Sequence, residues 1–303
     1  MLSSNEPIRR VGFGRVSVYF GEKSGKYPDG NQVVVRGTDT HAIFDTPRVA
    51  RFVGPDVDDA ELVILGHVHE DHMAGLHRVP DAAVHVHELD VEAARSWPGL
   101  ARHFGLTGQA AERMLAKIQA EFDYAPRPDA IAYPDGASWS LGGATVRAVH
   151  MPGHTAGHCV LLVEEEGVAF IGDIDLSGFG PYYGDASSSL AQFRRTLARL
   201  PELPARIWVT SHHRGVYTDR AAFLKALGAF AARLDERSER LLDMLADGPQ
   251  TVAELAARRL LYPIDHVEIW VDDVERRTIE QHLDELLADG RVVEVEPGRF
   301  AAV

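Results

Sequence analysis

The chain has 303 residues, 45% of them hydrophobic and 25% charged, with a formal net charge of −14. This is ordinary globular composition and excludes a disordered or fibrous chain, while the length suffices for one large α/β domain plus a small one. The acidic balance argues against a nucleic-acid partner, because phosphate neutralisation needs clustered Lys and Arg.

From Val11 to Asp45 the chain reads as strands: Val16 to Phe20, Gln32 to Arg36 and His41 to Asp45, with a Gly/Pro/Asp-rich loop after the first. Leu62 to Leu65 is a continuous apolar run ending in Gly66, which fits a strand buried on both faces. Ala83 to His87 forms the next strand and leads through Asp90, as N-cap, into Val91 to Arg95. Residues 100–123 read as helical. Strands return at Ala144 to Val149, Cys159 to Val163 and Val168 to Ile171, then a helix at Leu190 to Leu200 and a strand at Arg206 to Thr210. Two sheets with outer helices are implied.

Beyond residue 219 the pattern turns helical, and residues 236–303 read as a unit of their own after a first domain over residues 1–235. Thr251-Val252-Ala253-Glu254 is a capping box opening a helix, Thr278 to Ala288 is amphipathic, and two short strands flank Glu296-Pro297-Gly298. Three helices followed by a hairpin is a winged-helix order. This tail holds 8 Arg and no Lys against 16 Asp plus Glu, a net of −8 that should repel a phosphate backbone. It is expected to pack or to mediate a homodimer. Its Tyr262, His266 and Trp270 are candidates to close over a ligand, the alternative being a plain loop between helices.

No apolar run reaches the length of about 18 residues that spans a bilayer, and Met1 to Pro7 lacks the apolar region of a secretory leader. A cytoplasmic protein free of membrane is expected. A single cysteine, Cys159, excludes an intramolecular disulfide, so any metal must be held by His, Asp or Glu.

The chemistry gathers at Gly66-His67-Val68-His69-Glu70-Asp71-His72. In extended chain, positions i and i+2 face one side, so His67 and His69 can grip one cation. Asp71 and His72, at the turn into the following helix, can then face a second cation next door. Imidazole and carboxylate suit zinc, with iron or manganese as alternatives. By contrast, His85-Val86-His87 lacks the following Asp-His pair and reads as ordinary strand. Cys159 reads as a small core residue.

His-x-His-x-Asp-His after a buried strand resembles the signature of the metallo-β-lactamase superfamily. Further motifs resemble that family's in order: Asp45, Pro152-Gly153-His154, Gly172-Asp173 and Ser211-His212. The resemblance implies an αββα sandwich of two mixed sheets flanked by helices. It also implies two divalent metal ions: His67, His69 and His154 on one, Asp71, His72 and His212 on the other, and Asp173 bridging. Asp45 takes a supporting role. His213 adjoins His212 and would point the opposite way in extended chain, so His212 is expected to ligate. His158 is expected either to brace a ligand from behind or to fill a structural place.

The implied activity is metal-dependent hydrolysis of a small molecule, with Asp71 orienting the attacking hydroxide. A carboxylic ester, thioester or lactone is favoured over a β-lactam or the phosphodiester of an RNA-cutting relative. The layout resembles the β-lactamase-like 2 type. Tyr182 and Tyr183, in the segment after Asp173, are the expected substrate-pocket residues.

Overall fold

The computed structural model describes residues 8–303; the heptapeptide in which no leader was read, Met1 to Pro7, lies outside the described residues. Seven strands form the first sheet in the order β1 (Arg10–Phe13), β2 (Val16–Tyr19), β3 (Gln32–Arg36), β4 (His41–Phe44), β5 (Leu62–Ile64), β6 (Ala83–His87) and β7 (Ile131–Tyr133). The second sheet contains β8 (Ser138–Ser140), β9 (Thr145–His150), β10 (Cys159–Val163), β11 (Val168–Phe170), β12 (Ile207–Val209) and β13 (Val216–Tyr217), in the spatial order β13-β12-β11-β10-β9-β8. Both sheets are mixed, since β4, β5, β6 and β7 run parallel, as do β11 and β12, while the remaining neighbours are antiparallel.

Period-two alternation stacks the sheets face to face. Val33, Val35, Ala42 and Phe44 point into the space between them, against Ala148, Leu161, Val163 and Phe170 of the second sheet. The intervening Val34 and Ile43 point outward to the helices of the first layer, and Val160 and Leu162 do the same on the second. Burying a ring such as Phe44 contributes about 2–3 kcal/mol, and because β4 is covered on both faces a one-residue slip would exchange Phe44 and Ile43 between two packed cores and spoil the fit of each.

The helical stretch over residues 100–123 is two helices, Trp97–Phe104 and Gly108–Phe122. They part at Gly105, which adopts φ +75° and closes the first helix in left-handed conformation. A Cβ there would also press on the tip of the Arg277 side chain at 2.3 Å, but it is the left-handed conformation that chiefly favours glycine.

Arg220–Leu245 is one helix, and the expected boundary between residues 235 and 236 falls inside it. Its first half, with Phe223, Phe230 and Leu234, packs on the second sheet, whereas Leu241 and Leu245 join a separate core with Leu255, Ile279, Leu283 and Val292. That C-terminal core is enclosed by the helices Val252–Ala257 and Val271–Ala288 and by a three-stranded sheet of β14 (Gln250–Thr251), β16 (Arg299–Ala302) and β15 (Val292–Glu296). The Thr251 capping box forms as its sequence indicates. Among the described residues, no helix is long and apolar enough to cross a membrane.

Candidate metal centre

Parallel pairing of β4 with β5 and of β11 with β12 sends their carboxyl ends to the same edge of the sandwich. The loop between β9 and β10 reaches that edge as well. Each ligand-type motif therefore arrives at one place from a separate strand end. Gly66 donates its N–H to Asp45 Oδ1 at 2.7 Å, which fixes the exit from β5. A short 3-10 turn over Glu70–His72 then brings Asp71 and His72 beside His67. At Gly172, φ is +53° and a Cβ would meet His158 Nε2 at 2.5 Å, so only glycine allows the turn that delivers Asp173.

The side chains form two principal groups whose ligand atoms lie within 4.8 Å of one another: His67, His69, His154 and Asp173, and beside them Asp71, His72 and His212. Asp173 faces both. Its Oδ2 lies 3.3 Å from His154 Nε2 and 3.9 Å from His67 Nε2, while its Oδ1 lies 3.1 Å from His72 Nε2 and 3.4 Å from His212 Nε2. Asp71 Oδ2 is 3.0 Å from His212 Nε2.

Opposite edges of the rings are held by other groups, which settles which nitrogen faces inward. Asp45 Oδ2 holds His72 Nδ1 at 2.7 Å, the Asp29 carbonyl holds His212 Nδ1 at 2.8 Å and the Tyr182 carbonyl holds His154 Nδ1 at 2.9 Å. His69 is reversed: its Nε2 meets Asp185 Oδ2 at 2.8 Å, and its Nδ1 faces His154 Nε2 at 3.1 Å.

This arrangement fits a divalent cation. Both nitrogens of His67, the Nε2 of His72 and the Oδ1 of Asp173 are buried without a hydrogen-bond partner, although ligand atoms lie close by. His67 Nε2, His72 Nε2 and Asp173 Oδ1 converge within the ligand groups, and leaving such groups unmet in an apolar surround costs about 1–3 kcal/mol each.

The electrostatics agree. Burial opposes charge on His72 and His212, yet Asp71 and Asp173 hold both imidazoles well above the usual histidine pKa. Burial likewise opposes charge on Asp173, but His212, His72, His67 and His154 hold it well below the usual carboxylate value. Burial pushes His67 well down. Glu70 is pushed up to about 7 by burial and by Asp71, and it accepts the Tyr27 hydroxyl at 3.1 Å.

Of the adjacent histidines, His212 turns into the cluster and His213, at φ +59°, turns toward Asp175 Oδ2 at 3.3 Å. His158 braces the site from behind, its Nε2 accepting the Asp173 N–H at 3.3 Å and its Nδ1 meeting the Met151 carbonyl at 3.0 Å. Burial and the nearby His154 push its pKa down to about 3, so it is neutral. His87 lies apart, stacked on His150 with centroids 4.4 Å apart, and His85 accepts the Trp139 indole N–H at 3.3 Å.

Asp90 occupies the N-cap position expected of it, but its side chain caps nothing. Its carboxylate accepts from the Thr155 hydroxyl at 2.7 Å, the Gly157 N–H at 2.8 Å and the Val68 N–H at 3.3 Å, tying two ligand loops together. Asp185 was not read from the sequence either; nothing local distinguishes it, and its partner His69 is 116 residues away.

A cavity of about 390 Å³ opens above the cluster, floored by His69, Asp71, His154, Asp173 and His212. Tyr182 lines it and donates its hydroxyl to Asp185 Oδ1 at 3.0 Å. Tyr183 corrects the expectation that both tyrosines face substrate. It is fully buried on the opposite side, bonded to His282 Nε2 at 2.7 Å and to Arg237 Nη1 at 3.0 Å, because successive residues of an extended segment point opposite ways. Tyr262 and Trp270 also line the cavity, whereas His266 is not among its lining residues and stacks on Tyr262. The walls contributed by Phe104, Leu106 and Met114 were not foreseen.

The sequence profile of the metallo-β-lactamase superfamily matches residues 28–228. The chain belongs to the metallo-β-lactamase superfamily. A superfamily protein of known structure from Thermus thermophilus is 27% identical, with a TM-score of 0.67 over 90% of this chain and 94% of that one. An atrochrysone carboxyl ACP thioesterase from Pseudocercospora fijiensis is 27% identical over 76% of this chain and 59% of its own length. A hydroxyacylglutathione hydrolase from Methylococcus capsulatus is 33% identical over 43% of this chain and 50% of its own. The chain thus matches only half to three fifths of these two superfamily relatives. Divalent-metal binding is consistent with both the superfamily and the His/Asp clusters.

Proposed function

We propose that the protein is a dinuclear-metal hydrolase that transfers an acyl group from a small-molecule thioester to water. The observation that carries this reading is the placement of Asp173, each of whose oxygens faces a separate group of ligands. Relatives named as a thioesterase and as a hydroxyacylglutathione hydrolase favour the thioester within the wider class of esters and lactones.

His67, His69 and His154 would hold one divalent cation and Asp71, His72 and His212 a second, with Asp173 lying between the two groups; such ions would supply polarisation of a carbonyl and acidification of water. We take zinc as the natural ion, iron and manganese being compatible with the same donors. The remaining work falls to the chain. Asp71, buried at the cavity floor, orients the attacking water and accepts a proton at its carboxylate. Asp185 keeps His69 in one ring orientation, and Asp45 does the same for His72. Phe104, Leu106 and Met114 exclude bulk water from the floor, which strengthens every charge interaction there.

The net charge of −14 favours a small molecule over an RNA as substrate. The test is release of free thiol from acyl thioesters by the full chain, abolished by chelation and restored by added divalent metal, with single-stranded RNA and a chromogenic β-lactam run beside it. Asp71→Asn is expected to lower kcat by about 10²–10⁴. Unchanged turnover in that variant at full metal content, or cleavage of RNA alone, would overturn the proposal.

A further inference from the structure

The cavity roof comes from a different part of the molecule than its floor. Residues 260–270 run from the C-terminal core across the mouth of the site, and Tyr262 and Trp270 of this strap line the cavity. Unlike a loose loop, the strap is pinned at both ends. At its start, the carboxylate of Glu275, wholly buried, accepts three successive backbone N–H groups: Leu260 at 2.6 Å, Leu261 at 3.0 Å and Tyr262 at 2.8 Å. Arg240 grips the same turn through the carbonyls of Leu260 at 3.0 Å and Arg259 at 2.9 Å. At its end, Ile269 and Trp270 pack on the core that includes Phe104, Leu106 and Met114. Lys117 of the Gly108–Phe122 helix sits 5.6 Å over the Trp270 ring and 3.5 Å from Glu268.

The rings are set as walls. Tyr262 is braced from behind by His266, with centroids 5.0 Å apart and planes within 10°, and its ring lies 5.6 Å from that of Phe179. Opposite the metal ligands, aromatic and aliphatic surface therefore encloses a volume within the range of small-ligand sites, roughly 300–1,000 Å³. Outside the ligand set the charged groups are acidic: Glu70, Asp175 and Asp185 against Lys26 alone. At this wall, away from the cation sites, Lys26 is the one cationic side chain among the lining residues that a second carboxylate or a phosphate on the acyl part could meet. The wall favours a flat uncharged group, because aromatic faces pair by offset or edge contact.

We infer that the 260–270 strap, held by Glu275, forms the acyl-recognition wall of the site and selects thioesters of bulky, uncharged, aromatic acyl groups over short ones. This rests on the hydrolase reading above and adds the substrate class to it. Glu275 is a positioning residue, acting through the backbone of Leu260 to Tyr262, while Tyr262 and Trp270 make the contact.

The experiment uses the full chain loaded with zinc and two N-acetylcysteamine thioesters, 2-naphthoyl and acetyl, followed by release of free thiol. The ratio of kcat/KM for naphthoyl over acetyl is expected to exceed one and to fall roughly tenfold or more in Trp270→Ala and in Tyr262→Ala. Trp270→Phe, which keeps a ring, should recover most of the ratio. Glu275→Gln should raise KM for the naphthoyl thioester more than it lowers kcat. Ratios unmoved in both alanine variants would overturn the inference and leave the hydrolase reading standing. Absence of turnover on both thioesters would instead sink the hydrolase reading. Titration with the non-hydrolysable ketone analogue of the naphthoyl thioester then decides the wall: binding roughly tenfold weaker in Trp270→Ala supports it, and equal binding overturns it.

Discussion

Asp185 offers the sharpest test of how the first ligand group is built. Its carboxylate meets His69 Nε2 at 2.8 Å and receives the Tyr182 hydroxyl at 3.0 Å, all in a buried setting. The contact holds His69 with Nδ1 inward, and it raises the His69 pKa to about 9 against the opposing effect of burial. In Asp185→Asn the bond survives as a neutral one. Bonds to charged groups are worth about 1.5–3 kcal/mol and neutral bonds about 0.5–1.5 kcal/mol, a difference of roughly 1–1.5 kcal/mol, or about tenfold in affinity. In Asp185→Ala the ring N–H is left unmet, and the loss should approach 100-fold, the upper end seen when a ligand's outer partner is removed. Competition with a chromophoric zinc chelator measures this directly, and the weaker binding should be confined to one of two equivalents. Unaltered affinity for both equivalents in a folded Asp185→Ala protein would refute the role given to this carboxylate.

Two further outcomes follow from the same physics. His282 is buried between the Tyr183 hydroxyl and Ser238 Oγ, and burial with Arg237 and Arg194 pushes its pKa down to about 3 from an ordinary 6.5. The unfolded chain therefore binds the extra proton, so the contribution of His282 is complete above pH 6.5 and is lost as pH falls toward 3. Urea unfolding at pH 7 and pH 5 should show that His282→Gln removes about 2 kcal/mol of the wild-type pH dependence; an unchanged difference would count against a neutral buried His282. Chelation should lower the unfolding midpoint, since a cation held at 100 times its Kd stabilises the folded state by about 2.7 kcal/mol. Identical midpoints with and without metal would argue that these side chains bind no ion.

Much of the sandwich was legible because its signals are local. Continuous apolar runs within Gln32–Arg36, His41–Phe44 and Leu62–Ile64 mark strands covered on both faces. Short edge strands such as β7, β8 and β13 carry too few buried residues to leave a pattern, and they form because a neighbour offers backbone partners. The helix from Val271 begins a full two turns before the amphipathic stretch at Thr278 becomes evident, because its first turns bury Val271, Val274 and the Glu275 carboxylate rather than an apolar stripe.

The sequence by itself determined the donor chemistry: which residues carry imidazole or carboxylate, and that His67 and His69 share one side of an extended chain. Those properties depend on residue type and on backbone period, both of which are local. Only the tertiary structure decided which ring nitrogen faces inward, that Tyr182 and not Tyr183 meets the cavity, and that Asp90 ties ligand loops together instead of capping a helix. Each of these depends on a partner far away in the chain, Asp185 for His69 and His282 for Tyr183, brought close by strand order and helix packing. The same holds for the cavity, whose floor comes from strand ends and whose roof comes from residues 260–270. No local rule links the two until the C-terminal core is in place.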